Sequence, residues 1–179
     1  MVELRFYSLT AINSIPVWFY WNLLGAALCL MLLAIWRKGW RNIVRYSVLV
    51  LLAAWVALVI AMTVVFRESG ADSRIQLKPF RSYWDFGEHS YFLECFATNV
   101  LNVALFVPVG FFAGIGFRRI GWMKVAQWGC MLSIVIEISQ FAFRKGYCEV
   151  DDVIHNTLGC LTGYGIWRVA NKVYRLITK

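Results

Sequence analysis

The sequence predicts an all-α integral membrane bundle of about five transmembrane helices, N-terminus outside and C-terminus inside, with a polar pocket facing outward. Three observations lead there. Of 179 residues, 60% are hydrophobic and 16% charged, a balance that a water-soluble core of this size does not need. The apolar residues come in blocks of about 20, the length that crosses a hydrocarbon layer of roughly 30 Å at 1.5 Å per residue. The Lys and Arg residues behind the net charge of +8 fall in short loops between those blocks. They form no separate basic face, so no nucleic acid partner is expected.

Taken in order, residues 1 to 15 hold one Arg and one Glu, too little positive charge for the leading part of a cleaved signal peptide. A first span is expected over about 16–36, entered through Pro16 and flanked by Trp18, Tyr20, Trp21 and Trp36, where aromatic belts belong. A basic loop leads to a second span, about 46–66, without an ionisable side chain. Residues 67 to 90 make the longest loop; its Pro79-Phe80 pair argues against a helix through the middle, and it can fold over the bundle as a cap. The third span, about 91–117, carries Glu94, Asn99 and Asn102, then Pro108, which should kink it by freeing the carbonyl of Ala104. Spans four and five are expected over about 122–143 and 152–170, the whole chain forming a single transmembrane domain over 1–179.

Sorting the loops by side fixes the orientation. One side has eleven Lys or Arg and no acidic residue, and the other has seven basic and eight acidic residues. The positive-inside rule makes the first side cytoplasmic. Of the five cysteines, none lies in a CxxC pair, which argues against a zinc ribbon or a disulfide scaffold. Cys29, Cys130 and Cys160 fall inside spans as small packing residues, while Cys95 and Cys148 share one face, as thiols or as a pair.

The stretch from Glu137 to Gly163 carries the chemistry. Glu137 and Gln140 are three apart, Asp152 and Asn156 four apart, so each pair shares a helix face. The connection between them is short enough to make the two helices antiparallel neighbours. Glu137 should lie roughly 9 Å and Asn156 roughly 6 Å from the outer end of their spans, with Asn99 and Asn102 at roughly 12 to 16 Å. A carboxylate at such a depth needs pairing, water or a proton, and so faces a bundle interior or a hydrated cavity.

Here the chain resembles a known family. LKPF at 77–80, NVALFVPVG at 102–110, and EISQFAFRKGYCEVDDVIHNTLGCLTGYG at 137–165 are similar to the ordered motifs of the VanZ-like family of small bacterial membrane proteins, over about residues 74–166. The resemblance implies a multi-pass protein of the bacterial cytoplasmic membrane that confers or modulates resistance to glycopeptide antibiotics of the teicoplanin type. It carries over Asn102, Phe106, Pro108, Gly110, Glu137, Gln140, Asp152, Asn156 and Gly159. One departure is Gln76, where the family's first motif usually has Asn, with Lys78 following.

Each polar residue has a plainer reading beside its functional one. The glycine pairs Gly110/Gly114 and Gly159/Gly163 suit close helix packing, and Asn99, Asn102, Gln140 and Asn156 suit either interhelical hydrogen bonds or a ligand. Asp151 and Asp152 begin a helix and can cap it. His155 lies on their face, but two histidines and no HExxH-like pattern leave a metal unsupported. Two functions follow. In the first, a non-enzymatic binder engages a membrane lipid, a lipid-linked cell-wall precursor or the lipid tail of a lipoglycopeptide through Glu137, Gln140, Asp152, Asn156, Asn102 and Asn99. Arg67, Arg74, Lys78, Arg81 and Arg144 would then meet phosphate. In the second, a membrane-embedded enzyme modifies such a lipid with Glu137 as general base and Asp152 as its partner. No Ser-His or Cys-His nucleophile, phosphate loop or metal cluster is evident in the sequence, so no cofactor is expected and the binder is favoured.

Overall fold

The computed structural model describes residues 15–38, 43–68, 74–80, 89–117 and 119–178, with side chains throughout except at 34–38 and 89–94. Arg81, Glu94 and Arg118 therefore lie outside the described side chains. Five helices carry the described chain: α1 Val17–Lys38, α2 Ile43–Ile60, α3 His89–Gly116, α4 Trp122–Ala142 and α5 Val150–Ile177. Three are long and apolar enough to cross a membrane, at Ile43–Val65, Cys95–Gly116 and Trp122–Ala142, and a shorter apolar stretch spans Val17–Leu33. Large apolar side chains such as Trp21, Leu32, Val44, Met131 and Val135 stand exposed on outer faces, as they do on a surface that meets lipid rather than water.

Why α3 and α5 pair is written in their small residues. These two helices make the most extensive contact in the protein, α4 and α5 the next. A β-carbon at Gly110 would overlap the Cys160 carbonyl, one at Gly159 the Val103 carbonyl, and one at Gly163 the Val107 carbonyl. Backbone thus lies directly on backbone. The contacts rise together in number along both helices, so α3 and α5 run parallel, with α4 antiparallel between their ends. Around this seam sits the apolar core of Val59, Phe106, Val109, Ala113, Val125, Ile136, Cys160 and Tyr164, closed at one end by the Tyr164 hydroxyl donating to the Ile120 carbonyl at 2.7 Å.

Two features depart from a plain bundle. Helix α2 ends in a single wider turn, Ala61–Val65, of π type, and α1 joins it through Phe19, whose ring meets Phe66 edge to face at 5.3 Å. The long loop and the α4–α5 connection form a two-residue parallel bridge, β1 Ile75–Gln76 with β2 Cys148–Glu149, in register Ile75 to Cys148 and Gln76 to Glu149. Pro108 lies inside a continuous α3, and Trp55 donates its indole N–H to the neighbouring Leu105 carbonyl at 2.9 Å. At the far end of α3 the Arg45 guanidinium donates to the Gly116 carbonyl at 3.0 Å, meeting one of the carbonyls that a helix end leaves open. The last helix runs to Ile177, beyond the apolar stretch that ends near Ala170, because Asn171, Lys172 and Arg175 are tolerated in an exposed helix even where lipid would reject them. None of the five cysteines, all among the described residues, is in a disulfide.

Gly163→Leu and Gly159→Leu should each force α3 and α5 apart and lower the amount of folded protein in the membrane several-fold, since overpacking costs about 1–3 kcal/mol or more. Gly25→Leu, with open space at its β-carbon, is the matched control. Quantitative membrane immunoblotting with size-exclusion elution checks both.

Candidate functional site

Because α3 and α5 run side by side with almost no space between them, Asn102 in the middle of α3 falls level with Asp152 in the first turn of α5. The Asn102 side-chain amide donates to Asp152 Oδ1 at 2.7 Å. The start of α5 is therefore recessed, with the first three turns of α3 extending past it. Helix α4 brings Glu137 to the same level, where Glu137 Oε2 accepts the backbone N–H of Glu149 at 2.9 Å. Glu137 is 2% exposed. Among the described residues, Asp152, Glu149 and Arg67 act on its charge, and Glu149, Arg67 and Asp151 on that of Asp152.

One turn deeper is a second polar layer. Asn156 follows Asp152 by four residues, and Ser133 precedes Glu137 by four, so both lie directly beneath the carboxylates on the same two faces. Asn156 donates to the Ser133 hydroxyl at 2.8 Å, and both are buried. One turn in the other direction, Gln140 donates its side-chain N–H to the Thr63 carbonyl at 3.0 Å, which belongs to the π-type turn of α2. Among the described residues, Gln140 Oε1 and Asn156 Oδ1 are buried without a hydrogen-bond partner.

The rim is made by the long loop and the α4–α5 connection. Asp151 lies in the first turn of α5; its Oδ1 accepts the Phe80 backbone N–H at 2.5 Å, and its carbonyl accepts from His155 Nδ1 at 2.6 Å. A carbonyl can only accept, so Nδ1 carries the hydrogen. The Cys148 N–H donates to the Arg74 carbonyl at 2.9 Å, and the Lys145 ammonium donates to the carbonyls of Val65 and Arg67, both at 2.8 Å. Gly146 takes φ +154°, and a β-carbon there would crowd the Arg67 guanidinium at 3.1 Å. Phe80 at φ 58° and Arg144 at φ 52° are left-handed despite their side chains, a conformation costing about 1–2 kcal/mol. Both flank the connection. Burial first, and then the carboxylates of Glu137, Asp152 and Glu149, push the Cys148 thiol above its ordinary range.

Of the residues singled out in the sequence, Glu137, Asp152, Asn102, Gln140 and Asn156 lie in these stacked layers. Asn99 is buried on α3. Arg74 and Arg144 are exposed at the rim, and Arg81 lies outside the described residues. Sequence reasoning missed Ser133 and Thr63; a lone small hydroxyl one turn from Glu137 was the available signal for Ser133, and nothing marks Thr63. A cavity of about 210 Å³ lies further along the bundle, lined by Leu52, Val56, Val109, Leu132 and Cys160 among others. It is apolar, and the carboxylates do not line it.

The chain is similar to known proteins over most of its length. A family model described as VanZ/LLP1 matches residues 46–171, which takes in every residue of the stacked layers. Among curated proteins, the chain is 34% identical over 77 residues to Protein VanZ of Enterococcus faecium, covering 43% of this chain and 48% of that protein. The match thus spans about half the length of the curated relative. No solved structure matches.

The Cys148 thiol gives a probe of the cluster in purified protein. Its alkylation rate by iodoacetamide should climb about tenfold per pH unit from pH 7 with no plateau below about pH 8.5, because the thiolate is the reactive form. Glu149→Gln should speed the reaction several-fold at fixed pH by removing a nearby negative charge. A plateau below that value, or no effect of Glu149→Gln, would contradict the placement.

Proposed function

Since the chain belongs to the VanZ/LLP1 family, we propose that it works as a multi-pass protein of the bacterial cytoplasmic membrane, N-out and C-in, that modulates tolerance to glycopeptide antibiotics of the teicoplanin type. It acts without catalysis, by engaging a membrane lipid, a lipid-linked wall precursor or the lipid tail of a drug through the Glu137 and Asp152 layer. One observation carries the reading: carboxyls from two neighbouring helices act on each other, Glu137 buried and Asp152 half-buried, at a level where apolar residues would be the cheaper filling. Scaffolding alone does not call for this. Replacing buried charged groups by packed apolar ones is often neutral or stabilising, so a group retained there is expected to meet something.

The stacked arrangement supports recognition more than bond breaking. Asp152 is bound by Asn102 and Glu137 by a backbone N–H, which fixes both carboxyls as acceptors for an incoming group. The enzymatic alternative draws on the same pair, with Glu137 as base and Asp152 as partner, and lacks an assigned nucleophile. Turnover of a bound lipid by the purified protein would favour it.

Glu137→Gln and Asp152→Asn preserve size while deleting charge. Each should abolish teicoplanin tolerance in an expressing strain at unchanged membrane abundance, and mass spectrometry of co-purified lipids should lose a species that the parent retains unmodified. Full protection by both variants would sink the reading.

A further inference from the structure

Helix α5 outruns its neighbours at the end of the bundle away from the carboxylates. The apolar span of α3 stops at Gly116, and a β-carbon on Gly114 would meet the Trp167 ring of the parallel α5 at 2.6 Å. Arg168 therefore stands near the level where α3 leaves the apolar layer. From there α5 runs on to Ile177, roughly 14 Å at 1.5 Å per residue. Every residue from 168 to 178 is exposed except the half-buried Asn171. Two faces run along this stretch. Arg168, Lys172 and Arg175 fall at i, i+4 and i+7, and Val169, Val173 and Leu176 repeat that spacing one residue, or about 100°, further round. All six side chains are exposed.

The charge at this end has one sign. No Asp or Glu occurs in residues 16–66, in residues 95–136 or anywhere after Asp152, and the α3–α4 turn and the start of α4 add the exposed Arg119 and Lys124. Among the described residues, Arg168, Lys172 and Arg175 have no acidic partner. The helix dipole accounts for a cation in the last turn, where Arg175 lies, but its effect fades before Lys172 and Arg168.

We propose that this face binds anionic phospholipid headgroups, with phosphatidylglycerol as the model ligand, at an end of the molecule separate from the Glu137 and Asp152 layer. Lys172 and Arg175 lie roughly 6 and 10 Å beyond Arg168, and the polar zone of a leaflet is roughly 5–8 Å thick, so the three cations reach through it. The guanidinium forks take phosphate oxygens in pairs and the ammonium takes them as a point charge. Beside them, Val169, Val173 and Leu176 continue the apolar surface of the span into the acyl boundary, while the long basic side chains reach outward from it. A zwitterionic headgroup carries its own ammonium, which opposes the same cations; an anionic one does not.

The full chain reconstituted in phosphatidylcholine membranes tests this, with spin-labelled phosphatidylglycerol and phosphatidylcholine of identical chains as probes. Electron spin resonance should give phosphatidylglycerol a relative association constant about threefold or more above that of phosphatidylcholine, and about 0.5 M NaCl should remove most of the difference. Arg168→Gln/Lys172→Gln/Arg175→Gln should cut the preference by half or more. In the parent, phosphatidylglycerol with a photoreactive headgroup should cross-link within residues 168–177, a readout that stands even if the triple variant misfolds. Equal association of the two lipids with the parent overturns the proposal and leaves the face to an acidic protein. A preference indifferent to salt contradicts the charge argument. One that survives the triple substitution, or cross-links confined to other segments, refutes the assignment to this helix end.

Discussion

The contact of backbone on backbone between α3 and α5 is the constraint from which the remaining geometry follows. Gly110, Gly159 and Gly163 leave no room for a β-carbon, so the two helices can lie together in one register only. Lipid tails are as apolar as leucine, and close packing of small residues is therefore what drives helices together in a membrane. That register sets Asn102 against Asp152. It also decides that α5 begins beside the middle of α3, which draws the α4–α5 connection inward and carries Glu149 to Glu137.

From this recess comes the character of the site. Carboxyls at a helix start would ordinarily be solvated caps, but here Asp151 reaches the Phe80 backbone and Asp152 reaches Asn102, so the first turn of α5 is spent on tertiary contacts. The parallel bridge of Ile75–Gln76 with Cys148–Glu149 then ties the long loop across the same end. Two residues with side chains in left-handed backbone, Phe80 and Arg144, mark the places where the chain bends to do so. Strain of this kind persists only where neighbouring contacts hold it, and it gathers at binding and switching sites. The layer beneath, Asn156 with Ser133, ends the polar column, and apolar packing around Phe106, Ile136 and Cys160 takes over.

Much of this was legible in the sequence, for identifiable reasons. Block length and composition predict the helices, GxxxG spacing predicts a close helix contact, and the expense of a buried carboxyl singles out Glu137. The i, i+3 and i, i+4 spacings of Glu137 with Gln140 and Asp152 with Asn156 put each pair on one face. The parallel bridge was not legible, since two residues of extended chain leave no alternation to read. Nor was the π-type turn at Ala61–Val65, because nothing local in an unbroken apolar run distinguishes a wider turn, and it is this turn that offers Gln140 the Thr63 carbonyl. The place of Asp151 and Asp152 at the start of a helix was legible and both lie in the first turn of α5, whereas their long-range partners Phe80 and Asn102 left no local signal. Helix α5 outlasts the span expected over 152–170 because hydropathy reports where apolar residues end and not where a helix ends.

If Glu137 and Asp152 are kept for a ligand and not for the scaffold, placing one buried and one half-buried carboxyl at the same level is a cost that the α3–α5 seam carries. The most direct measurement is the thermal unfolding midpoint of the detergent-purified Glu137→Gln/Asp152→Asn double variant beside that of the parent, both stripped of lipid. The account predicts a midpoint equal to the parent's or higher, since neutral amides keep the packing and part of the hydrogen bonding while removing one buried and one half-buried carboxyl. A midpoint lower by about 5 °C or more, a shift that on the order of 1–2 kcal/mol produces in a chain of this size, would show the pair to be structural and contradict it.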